Sequence, residues 1–139
     1  MRSVLPVLLI SALGSASTVA GELTINVGHV RSDRGAILAA LYDSEATFMK
    51  QPLARATFKV KAAAGEVSYV FHDLPAGKYA LAVFHDENEN GQLDKNFVGI
   101  PREGYGFSNS NASFRPPAFS QAAFDFDGTV QSITITLHY

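Results

Sequence analysis

The sequence predicts an all-β fold, an antiparallel β-sandwich of about seven strands with one long ordered loop. Three observations predict it. Apolar and polar residues alternate with a period of two, most cleanly at the C-terminus, where Ile133, Ile135, Leu137 and Tyr139 oppose Ser132, Thr134, Thr136 and His138. Turn-forming residues separate such stretches at short intervals, and helical periodicity is almost absent. The composition, 47% hydrophobic and 17% charged over 139 residues, suits one domain with one sizeable core.

The first twenty residues read as an address. Met1-Arg2 is a short positive start, Val4 to Leu13 an apolar run, and Gly14 to Ala20 a small-residue exit. That layout is a secretory signal peptide over 1–20, cleaved after Ala20 or, alternatively, after Ser17. The apolar run is about half the roughly 20 residues needed to span a bilayer. The expected product is an exported, non-membrane-spanning protein, periplasmic or extracellular, with one domain over 21–139.

Along that domain, Leu23, Ile25 and Val27 alternate with Thr24, Asn26 and Gly28. Turn residues Arg31 to Gly35 follow, and then the apolar run Ala36 to Tyr42, so the pair reads as an antiparallel hairpin. Asp43 to Lys50 is expected to make one or two helical turns capped by Ser44, ended by Pro52. Thr57 to Val60 is a short strand. A second begins at Gly65, and after the Asp73–Gly77 turn a third runs from Lys78 to His85. Residues 95–122 break the pattern. They combine Gly99, Gly104, Gly106, Pro116 and Pro117 with Phe97, Tyr105, Phe107, Phe114 and Phe119. So many aromatics argue for an ordered loop rather than a disordered one.

The formal net charge is -2 and there is no cysteine. No basic stripe exists to displace counterions, so nucleic acid is not an expected partner. Zinc–thiolate sites, disulfides and cysteine nucleophiles are excluded. His29, His72, His85 and His138 share no metal-ligand spacing, and Ser108, Ser110 and Ser113 lack a nucleophile-elbow pattern. A catalytic role is not expected; a hydrolase ranks third among the readings.

Asp86 to Asp94 is the stretch with chemistry. Asp86-Glu-Asn-Glu-Asn-Gly-Gln-Leu-Asp94 fits the start of an oxygen-rich calcium loop, with Asp86, Asn88 and Asn90 at alternate positions and Gly91 at the sharp turn. The Gln92 backbone carbonyl and Asp94 supply the next donors. The helical version of such a loop ends in a bidentate Glu, where this chain has Phe97, so Glu103, Asp43 or water must complete the shell. Glu87 and Glu89 are expected to point outward. Weak calcium binding follows, with Kd on the order of 10⁻⁴–10⁻³ M. A plain turn is the alternative, since Asn90-Gly91 is a strong hairpin signal. Tyr105, Phe107, Phe114 and Phe119 either line a groove for a small ligand, glycan or surface partner or plug one end of the sandwich.

Three stretches together, Phe71 to Val83, His85 to Asp94 and Gly99 to Asn109, resemble the bacterial exported proteins grouped as the uncharacterised DUF2141 family. The Asp73 to Tyr79 segment is also similar to the turn and strand of transthyretin-like sandwiches. The resemblance implies a prealbumin-like or Ig-like sandwich and no assigned function. The chain ends Leu137-His-Tyr139, not in the Tyr-Arg-Gly-Ser tail of the transthyretin-like hydrolases, so that activity is not carried over.

Overall fold

The computed structural model describes residues 20–110 and 115–139. The signal-peptide segment, apart from Ala20, and Phe114 and Ser113 lie outside the described residues. Among the described residues are eight strands: β1 (Gly21–Val30), β2 (Ala36–Tyr42), β3 (Ala56–Lys61), β4 (Gly65–Leu74), β5 (Gly77–Asp86), β6 (Tyr105–Phe107), β7 (Phe124–Phe126) and β8 (Val130–Thr136). A four-residue helix, α1 (Phe119–Ala122), precedes β7. No helix of the described residues is long and apolar enough to cross a membrane.

Two sheets face each other. The smaller has the order β4-β1-β8; the larger has the order β3-β2-β5-β6, and β7 also pairs with β5. Alternate residues of each strand meet between them: Leu23, Ile25 and Val27 from β1, Ile37 and Leu41 from β2, Leu81 and Val83 from β5, and Ile135 from β8 are all at most 2% exposed. This is the inward half of the two-residue period, and its burial drives the two layers together.

Two expectations need correction. β1 and β2 are not a hairpin: β1 pairs with β4 and β8, β2 with β3 and β5, and Arg31–Gly35 carries the chain from one sheet to the other. The burial pattern gives the reason. The outward residues of β1 are polar, as an outer sheet surface requires, whereas six of the seven residues of β2 are buried, so it takes the interior of the larger sheet. The sandwich is also not wholly antiparallel, because β1 and β8 run parallel from Glu22↔Val130 to Gly28↔Thr136. A period of two records which face is buried and is silent on strand direction.

The Asp43–Lys50 segment makes a single turn, closed by the Phe48 N–H on the Ser44 carbonyl at 3.1 Å, before a short 3-10 turn at Gln51–Leu53. Residues 95–110 and the segment from Phe119 onward are more regular than the composition of 95–122 suggests. β6 pairs with Ala82–Phe84 and β7 with Gly77–Tyr79, so the two short strands share one edge of β5. Ser108 closes the excursion between them. Its hydroxyl donates to the Ala122 carbonyl at 2.6 Å and accepts the Leu81 N–H at 2.8 Å.

Candidate functional site

The Asp86–Asp94 loop leaves the end of β5, where Asp86 still pairs with Ala36 of β2. Gly35, with φ +70, lies directly beneath it, and a Cβ there would stand 2.0 Å from the Asp86 carbonyl oxygen. The loop reverses through Glu89 (φ 56) and Gly91 (φ 75), left-handed conformations of which the second is suited to glycine.

The side chains of the expected ligands fold back onto the loop backbone. Asp86 is fully buried; its Oδ2 accepts the Gly91 N–H at 2.8 Å and its Oδ1 the Asn90 N–H at 3.2 Å. Asn88 Oδ1 accepts the Asn90 N–H at 3.3 Å, and Asn90 Oδ1 the Gln92 N–H at 2.9 Å. These i to i+2 bonds are the local competition by which Asp and Asn shape loops. The amide groups of Asn88 and Asn90 donate to the Asp94 carboxylate at 2.5 and 2.7 Å. Hydrogen bonds, from Asn90 first and also from Asn88, hold the Asp94 carboxyl below the usual carboxylate range.

Glu103, one of the two carboxylates the sequence offers to complete the shell, lies against the loop. It is 5% exposed, and it accepts the Glu87 N–H at 2.6 Å and the Asp94 N–H at 3.0 Å. The chain brings it there through a small hairpin in which Lys95 bridges Pro101 and the Arg102 N–H donates to the Asp94 carbonyl at 2.7 Å. Phe97 sits at the tip, 98% exposed. Asp43, the other candidate, follows Tyr42, which pairs with Ala80; Asp86 pairs with Ala36 at the far end of β2. Asp43 therefore takes no part in this site.

Glu87 is not turned to solvent. Arg31 and Ser32, from the crossover between the sheets, both hydrogen-bond its carboxylate, and Arg31 above all holds it below the usual range. His85, fully buried, ties the same region to the C-terminus. Its Nε2 lies 2.6 Å from the Arg34 carbonyl, which can only accept, so that nitrogen carries the proton and Nδ1 accepts the Tyr139 hydroxyl at 2.8 Å. Among the described residues no three His, Asp or Glu side chains are gathered into a ready metal cage. Asp86 and Glu103 are nonetheless both buried, and neither forms an ion pair among the described residues.

Of the expected aromatic set, Tyr105 and Phe107 lie together, their ring centroids 6.2 Å apart, on the outer face of the larger sheet. They line a cleft of about 550 Å3 that also takes in Gly91, Gln92, Leu93 and Lys95 of the loop. Phe119 packs elsewhere, against Phe48 at 5.8 Å. Tyr105 and Phe107 thus line a groove, as one of the two expectations has it, but its other walls come from β2, β3 and β5, which are remote in sequence. The available signal was a β2 strand apolar on both faces.

The profile of the family described as "Uncharacterized protein conserved in bacteria (DUF2141)" matches residues 25–134, from β1 through most of β8. The chain belongs to the DUF2141 family. The matched span contains the whole Asp86–Glu103 site and most of both sheets. No curated protein and no solved structure matches the chain.

Proposed function

We propose that this DUF2141 protein is an exported, non-enzymatic β-sandwich that binds calcium in the Asp86–Asp94 loop and so orders the segment leading to β6. One observation carries the reading: two buried carboxyl groups, Asp86 and Glu103, converge on one loop, and among the described residues neither makes a direct ion pair, Arg31 acting on Glu103 only through its field. Burying unpaired charge is costly, and a bound cation offsets that cost. The donors on offer are all oxygens, from Asp86, Asn88, Asn90, the Gln92 carbonyl, Asp94 and Glu103. Such a set suits calcium over zinc or copper.

The fit has a cost. Asn88 and Asn90 turn amide nitrogens toward Asp94, so an ion placed between these groups requires both side chains to reorient. Their oxygens must then give up or share bonds to backbone N–H groups. The expected Kd is accordingly weak, on the order of 10⁻⁴–10⁻³ M. Export rests on the composition of residues 1–20, and the absence of catalysis on the lack of a nucleophile–base pattern.

Thermal unfolding tests the reading. Calcium at one to ten times Kd is expected to stabilise the chelated protein by about 0.4–1.4 kcal/mol, seen as a small rise in Tm that Asp86→Ala abolishes. An equal rise in the variant places the ion elsewhere and overturns the assignment.

A further inference from the structure

The geometry points to a second binding site, for a small apolar carboxylate, on the outer face of the larger sheet. Outer faces of sandwiches are ordinarily polar, and the smaller sheet obeys this: Asn26 bonds Ser68 and Ser132 across its strands. The larger sheet does not. Its floor is the cross-strand pair Ala40↔Ala82, and the neighbouring pair Leu38↔Phe84 continues it. Tyr105 and Phe107 of β6 stand along one side. Two alanines between larger residues make a depression rather than a flat surface, and the resulting cleft of about 550 Å3 falls within the range of small-molecule sites.

Charge identifies the occupant. The lining contains Lys59 from β3 and Lys95 from the loop, and no Asp, Glu or His. Neither lysine forms an ion pair among the described residues. An apolar body over Ala40 and Ala82 with one anionic group reaching Lys59 or Lys95 satisfies both features. A neutral apolar molecule leaves the lysines unused, and a cation is repelled. This site does not depend on the calcium reading, although Gly91, Gln92 and Leu93 belong to the loop and also line the cleft.

Dodecanoate and its neutral counterpart dodecanol are the probes, titrated by calorimetry into the full chain in chelator, where calcium plays no part. The expected result is saturable dodecanoate binding, with dodecanol and the Lys59→Gln/Lys95→Gln double variant each weaker by about three- to tenfold, since both lysines are solvent-exposed. Ala82→Phe, which fills the floor, is expected to abolish binding. The lysine variant, altered only at the surface, keeps the test valid if that replacement unfolds the protein. Absence of dodecanoate binding overturns the proposal, as does equal affinity for the alcohol or binding unchanged in the lysine variant.

Discussion

Gly35→Ala is expected to destabilise the domain by about 2–5 kcal/mol, from a strained backbone and an overpacked contact together. The new Cβ would meet the Asp86 carbonyl oxygen at 2.0 Å and the Glu87 Cα at 2.8 Å, and the backbone has φ +70. Both obstacles are main-chain atoms, so no side chain can swing away. The Gly35 carbonyl also accepts the Ala62 N–H at 3.1 Å, which limits retreat in the other direction. Urea unfolding checks the figure, and a loss below about 1 kcal/mol would contradict it. The residue that carries the chain into the larger sheet thus also supports the first expected ligand.

Glu103→Ala is expected to cost about 1–3 kcal/mol in chelator, because it strips acceptors from the Glu87 and Asp94 N–H groups. Glu103→Gln separates shape from acceptor chemistry. A glutamine keeps the volume but turns an amide N–H2 toward one of those donors, so it should recover only part of the loss. Full recovery by Gln in the same unfolding measurement would mean that packing, not the paired acceptors, holds the hairpin against the loop.

Legibility followed the range of the interaction. Alternation over Leu23–Val27 and Ser132–Leu137 revealed β1 and β8, because burial on one face is written locally at every second residue. Sheet partners are not written locally. The short Arg31–Gly35 connection looks like a hairpin turn, and only the apolar outward residues of β2 show that it belongs inside the larger sheet. β6 and β7 leave little trace in the sequence for a different reason. Each has three residues, and β6 centres on Gly106, where Ile135 and the Thr136 carbonyl leave room for no side chain.

The candidate site divides the same way. The spacing of Asp86, Asn88, Asn90 and Asp94 anticipated residues that the structure brings together through shared hydrogen bonds. Glu103 was named only beside Asp43, and distance along the strands separates the two: one arrives through the 94–103 hairpin, the other lies at the far end of β2. Glu87 faces inward, against expectation, because its partner, Arg31, is remote in sequence and adjacent only after the chain has crossed between sheets.

The central claim is that calcium is held by Asp86, Asp94 and Glu103 with the amide oxygens between them. The most direct measurement is a calcium titration of the chelated protein followed by amide nitrogen–proton NMR spectra. The backbone N–H groups of Glu87, Asn90, Gly91, Gln92 and Asp94 all donate to the proposed ligands. They should shift together, with one Kd on the order of 10⁻⁴–10⁻³ M, while Ile133 to Ile135 of β8 stay still. If those amides do not move up to about 10 mM calcium, roughly ten times the weakest expected Kd, the loop is a turn held by its own hydrogen bonds and the claim is wrong.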